Sequence, residues 1–272
     1  MGMANKYKQW LPPIMIERLK PLFGYGVYFS GRYDDWASAS ESATGYDAEL
    51  ILERVRRASL EVIAGRAAFE RDSVLFSEVQ HSFPVLAGLL RASVENEGRL
   101  AVLDFGGSLG SSYFQCRDFL SVLDSLSWNV VEQSHFVRCG RECIESEQLK
   151  FCFTIDEAMQ KVTPDVALLS SVLQYLPEPY AILSELMQSG ADYLIIDRTP
   201  FSDALRDEIT LQHIPDTIYP AKLPCRIFSK QMLMAYLSSQ YEIIAEFESD
   251  DSSANVGGMR FSFGGMILRR RR

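Results

Sequence analysis

The chain has 272 residues, 47% of them apolar, enough for one large core or a core with a small cap. Its formal net charge is −9, from 36 acidic against 27 basic residues. That balance argues against a nucleic-acid enzyme built on a broad basic face, because lysine and arginine drive phosphate binding.

The first hundred residues differ from the rest. Phe23 to Gly45 is rich in glycine, tyrosine, aspartate and serine, and carries Tyr25, Tyr28, Tyr33 and Trp36. Aromatics on such a loop either close over a pocket or anchor the loop to the core. Asp47 to Ala67 predicts a helix, with Ile51, Val55, Ala58 and Val62 recurring at helical spacing. Val74 to Ala92 predicts a second, kinked or divided at Pro84. From Leu100 onward strands and helices alternate. The predicted strands are Ala101–Phe105, Asn129–Glu132, Lys150–Phe153, Val166–Ser170, Tyr193–Asp197, Glu242–Glu248 and Phe261–Leu268. The predicted helices are Ser111–Leu126, His135–Glu145, Asp156–Gln160, Tyr180–Gln188 and Ser229–Ser238, with Ser229 an N-cap. A hairpin through Asn255-Val256-Gly257-Gly258 joins the last two strands. The expected division is a helical cap over residues 1–98 and an α/β domain over 99–272.

Five cysteines form no disulfide or metal framework; Cys139 and Cys143 stand one helical turn apart without a second pair. An odd cysteine count, no signal-peptide pattern and no bilayer-length apolar run point to a soluble chain in the cytoplasm. The one basic cluster, Arg269 to Arg272, reads as a solvated tail or as a contact for anionic lipid or another acidic partner.

The most informative stretch is Leu100 to Gly110. An apolar strand runs into Asp104 and then a glycine-rich turn that opens a helix, and the next strand ends on Glu132. Such a turn brings backbone N–H groups and a helix N-terminus close to a ligand, and an acid on the second strand reaches a ribose. The dinucleotide spacing Gly-x-Gly-x-x-Gly is absent, because Phe105 stands where its first glycine belongs. The pattern is Asp104-x-Gly106-x-Ser108-x-Gly110, with serine in place of a middle glycine. The competing reading is a turn that only packs helix on strand.

Motif and strand order resemble motif I of the class I S-adenosylmethionine-dependent methyltransferases. A closer resemblance, over nearly the whole chain, is to a bacterial methyltransferase family encoded beside surface-polysaccharide genes. It rests on Gly24-Tyr25-Gly26-Val27-Tyr28 with Trp36, Thr44-Gly45-Tyr46-Asp47, Leu103 to Tyr113, Val130-Val131-Glu132, Ser171 to Leu176, Ile196 to Pro200 and Gln212-His213-Ile214-Pro215. The resemblance implies a Rossmann-like seven-stranded sheet with helices on both faces and an N-terminal helical cap. It implies a cofactor, S-adenosylmethionine (S-adenosylhomocysteine as product), held by Asp104, Gly106, Gly107, Ser108, Gly110, Tyr113, Glu132, Ser170 and Ser171. A small or sugar-containing acceptor, methylated on oxygen, goes with it.

In open α/β sheets ligands sit at the carboxyl ends of the strands, which also selects Asp197-Arg198 and the turn at Asp156, the latter read in the first place as a helix cap. His213, Asp216, Tyr219 and Arg226 are expected on a loop between the fifth and sixth strands. His213, Asp197, Arg198 and Tyr219 are the candidates to orient or deprotonate an acceptor; a lone histidine is otherwise a structural residue. The rival readings are a non-catalytic protein that keeps the fold for binding or assembly, and a nicotinamide-dependent oxidoreductase.

Overall fold

A computed structural model describes residues 26–44, 48–216, 218–249 and 253–271. The chain opens with β1 (Tyr28–Tyr33), α1 (Trp36–Glu41), α2 (Ala48–Ile63), the hairpin β2 (Phe69–Arg71) and β3 (Val74–Phe76), and α3 (Phe83–Glu95). Strictly alternating units follow: β4 (Arg99–Phe105), α4 (Ser111–Leu120), β5 (Ser125–Val131), α5 (Ser134–Cys143), β6 (Leu149–Cys152), α6 (Ile155–Lys161) and β7 (Val166–Ser170). After a 3-10 turn at Leu173–Tyr175 come α7 (Pro179–Gln188), β8 (Tyr193–Ser202), β9 (Glu208–Ile214), β10 (Ala221–Ser229) and α8 (Lys230–Leu237). The strands β11 (Tyr241–Glu248), β12 (Ala254–Val256) and β13 (Met259–Arg270) complete the fold.

Five strands run parallel in the order β6-β5-β4-β7-β8. β13 pairs antiparallel with β8, and β11 antiparallel with β13. These are the seven expected strands, with the last inserted antiparallel beside the fifth. Near-continuous apolar runs such as Val166–Leu169 and Leu194–Ile196 are buried on both faces, as a helix-covered parallel sheet requires. One face, with Val102, Trp128, Val130, Leu168 and Ile195, packs under α2 to α5. The other, with Leu103, Val131, Leu169 and Ile196, packs under α6 to α8.

The sheet has 11 strands because β1, β9, β10 and β12 join the seven. β7 stops opposite Asp197, but β8 continues to Ser202, where β10 pairs with it in parallel. β9 and β1 then add antiparallel to β10. This extension continues the sheet beyond the carboxyl end of β8.

Several predicted elements change character. Leu211 to Arg226 is not a loop: His213 lies in β9 and Arg226 in β10, paired across a hairpin. Val74 does not start a helix; Val74–Phe76 is a strand, and Pro84 falls in the first turn of α3, where its missing N–H costs nothing. The aromatic segment forms β1 and α1, the latter capped by Asp35, whose carboxylate accepts from Ser38 N at 2.7 Å. Tyr25, with Phe23 and Gly24, lies outside the described residues, as do Gly45, Tyr46 and Asp47. Of the aromatics inside them, Tyr28 stacks on His213 and Trp36 lies under the Arg226 guanidinium, so both anchor this segment to the β9–β10 hairpin. The helix from Ser111 ends at Leu120 rather than Leu126, which is needed as a buried residue of β5. The cap of α6 is Thr154, accepting from Glu157 N at 3.1 Å; Asp156 sits inside the first turn.

The C-terminal arginines are not a solvated tail. Arg269 pairs with Glu95 at 2.8 Å, and Arg271 donates to the Ser238 carbonyl. Arg270 donates to the carbonyls of Met187 and Ala191, a cation placed at the C-terminus of α7. Arg272 lies outside the described residues. Among the described residues no helix is long and apolar enough to cross a membrane.

Ser229 caps α8, accepting from Met232 N at 3.3 Å. Ser229→Ala should destabilise the chain by about 1 kcal/mol, read as a lowered denaturation midpoint with an unchanged slope.

Candidate active site

The carboxyl end of β4 places a bare carboxylate under the glycine turn. Asp104 is 0% exposed; its Oδ2 accepts from Trp128 Nε1 at 2.9 Å, and its Oδ1 has no hydrogen-bond partner among the described residues. Burial, with the Glu132 charge behind it, pushes this carboxyl up to about 7 despite the Trp128 bond. An unpaired buried oxygen of this kind is costly and invites a cationic or donor ligand. Gly107 lies directly over it: an added Cβ would stand 2.5 Å from Asp104 Cγ and 2.8 Å from Oδ1. Gly106 has φ +72° and packs against Val172, whose Cβ would be 2.8 Å from a side chain there. Its glycine therefore also serves packing, the competing reading of the motif.

Glu132, just past β5, stands at the lip of the same turn. Its Oε1 accepts from Ser108 N at 3.3 Å and its Oε2 from Gln133 N at 2.6 Å. Burial raises its pKa, and those two amide bonds oppose the rise. Across the site, Ser170 Oγ donates to Asp197 Oδ2 at 2.9 Å, and Ser171 N donates to the Asp197 carbonyl at 3.0 Å. Gln174 Nε2 donates to Ser171 Oγ and to the Arg198 carbonyl. The Arg198 guanidinium pairs with Asp72 at 3.0 Å, tying β8 to the β2–β3 hairpin.

Backbone strain gathers at these strand ends. Six described non-glycine residues have positive φ: Asp72, Ser73, Glu97, Ser108, Ser171 and Arg198. Only Glu97 lies away from the site. Each left-handed residue costs on the order of 1 kcal/mol, a cost that concentrates at functional sites.

A cavity of about 380 Å³ opens between the strand ends and the first hundred residues. Ser170, Asp197 and Arg198 line it together with Ser111, Ser112 and Arg71. The other sequence-predicted residues fall elsewhere. His213 stacks on Tyr28 at 4.2 Å, with Ser30 Oγ 2.7 Å from its Nε2; burial, then the Lys222 charge, lowers its pKa. It faces away from its neighbour Gln212, which accepts from the Tyr175 hydroxyl at 2.7 Å beside the strand ends. Tyr219 packs against the core under α2. Tyr113 is buried on Trp128 and donates to Gln148.

Sequence reasoning passed over Glu70, which is 2% exposed. It accepts from the Ser111 hydroxyl, in the first turn of α4, and from Ser73 N, and burial pushes it up to about 7. Its hairpin turns on Asp72-Ser73, both left-handed, without the glycine that usually marks such a turn.

Neither family models nor curated proteins match the sequence. Among solved structures, the chain is similar to the N-terminal domain of EvdMO1, crystallised with S-adenosylhomocysteine and D-fucose. The identity there is 15% and the TM-score 0.44, with 79% of this chain and 97% of that one covered. It is similar as well to CalS10, an amino pentose methyltransferase from Micromonospora echinaspora, at 13% identity, TM-score 0.45 and coverages of 78% and 97%. A third is magnesium protoporphyrin IX methyltransferase from Synechocystis PCC 6803, at 14% identity, TM-score 0.43 and coverages of 70% and 81%. These likenesses are faint, and the case for function stands on the chain's own residues.

Proposed function

We propose that this chain is a methyltransferase that uses S-adenosylmethionine and methylates an oxygen of a sugar-containing or other small acceptor. The observation that carries the reading is the partnerless Asp104 oxygen beneath the glycine turn, with Glu132 at its lip. A ligand with an ammonium and a sulfonium at one end and a ribose at the other suits two carboxylates so arranged. In this reading Asp104 and the turn through Gly106, Gly107, Ser108 and Gly110 hold the amino-acid end, Glu132 holds the ribose, and Ser170 and Ser171 flank the reacting centre. When bound, the cofactor supplies an electrophilic methyl group on a positively charged sulfur.

The chain's task is then alignment and proton removal. Asp197 and Arg198 line the cavity and orient the acceptor. His213 and Tyr219, on the β9–β10 hairpin and the segment joining its strands, are proton acceptors only if that hairpin turns toward the site. Within residues 1–98, β1 joins the sheet itself, and the segment from Phe69 to Pro84 that lines the cavity serves as the cap that excludes water from the domain of residues 99–272.

One observation favours a second reading, a non-catalytic binding protein. Both Glu132 oxygens already accept backbone amides, and His213 faces away from Gln212 and the strand ends. Calorimetric titration with S-adenosylhomocysteine, with NADH as control, tests the cofactor. Glu132→Ala should weaken binding by about 10- to 100-fold, the worth of charge-assisted hydrogen bonds to a ribose. Unchanged affinity in that variant would remove the nucleoside assignment; tight binding with no turnover on any acceptor would favour the second reading.

A further inference from the structure

The N-terminus of α4 is where the glycine turn ends, and the chain places its own carboxylate there. Glu70 reaches it from the β2–β3 hairpin and accepts from the Ser111 hydroxyl. The hairpin is pinned a second time by the pairing of Asp72 with Arg198 at the end of β8. It thus bridges the helix start and the strand ends that together define the site. Glu70 is almost wholly buried, yet its contacts are a hydroxyl and an amide, and no cation lies within ion-pair distance of it among the described residues. A buried carboxylate without an ion-pair partner is held at a cost, which the Ser111 and Ser73 bonds and the more distant Arg198 charge only partly offset.

The amino-acid end of the proposed cofactor is a zwitterion. Its ammonium suits the partnerless oxygen of Asp104, at the start of the turn. Its carboxylate is then directed along the turn toward α4, whose first turn favours an anion. We propose that Glu70 is an internal stand-in for the cofactor's carboxylate, occupying its position at the N-terminus of α4 and giving way when the cofactor binds. This inference rests on the methyltransferase reading. Two carboxylates at one helix end repel, so displacing Glu70 or neutralising it subtracts from cofactor affinity.

The test is calorimetry of the full chain with S-adenosylhomocysteine and with methylthioadenosine, which lacks the amino-acid end. In Glu70→Gln the amide oxygen still accepts from Ser111 while the charge is gone; Glu70→Ala clears the position altogether. Both variants should bind S-adenosylhomocysteine about 3- to 10-fold more tightly, with methylthioadenosine affinity unchanged and melting temperatures confirming the fold. Weaker S-adenosylhomocysteine binding in Glu70→Gln would make Glu70 a ligand or a structural prop and overturn the proposal. So would equal changes for both ligands. If the folded wild-type chain binds neither ligand, the methyltransferase reading itself fails, and this inference with it.

Discussion

Gly107→Ala should cost about 3–5 kcal/mol of stability and abolish S-adenosylhomocysteine binding. The reason is not backbone freedom. A methyl group at this position would overlap the Asp104 carboxylate, 2.5 Å from its Cγ. A surface carboxylate would swing aside at little cost. This one is fully buried and held by Trp128 Nε1, so moving it breaks a charge-assisted hydrogen bond and crowds a packed core. The cause can be isolated with a double-mutant cycle. In an Asp104→Ala background the overlap is gone, and Gly107→Ala should then cost less than half its wild-type value. Additive losses in urea denaturation would place the strain elsewhere in the turn.

The parallel sheet was legible because each of its strands is an apolar run bounded by a turn, and the run of Val166 to Ser170 was located to the residue. The placement of Asp104 and Glu132 was legible for the same reason: both fall where a buried strand meets a loop. What lay hidden depends on pairing between distant segments. His213 sits in a sequence with no turn signal on either side that distinguishes a hairpin from a loop, and its partner Tyr28 is nearly two hundred residues away. Of the short β2–β3 hairpin, β3 was absorbed into the helical pattern begun at Val74, while β2 fell in the unassigned gap between the two predicted helices. Glu70 and Asp72 lie in that gap, and their contacts with Ser111 and Arg198 leave no local trace. The arginines at the C-terminus look like a tail in composition, yet Arg270 finds helix carbonyls only once β13 is in place.

Asp104→Asn is expected to stabilise the protein and to disable it. Burial raises this carboxyl from the ordinary 3.8 to about 7. Between those values the folded chain binds more protons than the unfolded chain, so stability falls as pH rises through that window, and the loss is complete above about pH 7. Asparagine keeps an oxygen for Trp128 Nε1 and carries no charge to bury. At pH 8 the variant should therefore be more stable by on the order of 2–4 kcal/mol, with a shallower dependence of stability on pH between about 4 and 7. Glu70 is displaced in the same direction and remains in the variant, so the slope is reduced rather than abolished. A native protein that holds a charge at such a cost has a use for it, and in the proposed reading that use is to meet the cofactor's ammonium. The same substitution should weaken S-adenosylhomocysteine binding by roughly 100-fold or more, the worth of a desolvated ion pair. Urea denaturation across pH and calorimetry on one preparation measure both. An Asp104→Asn chain that is less stable at pH 8 and binds the ligand as well as wild type would make Asp104 an anchor for Trp128, and the carboxylate would lose its place in the cofactor site.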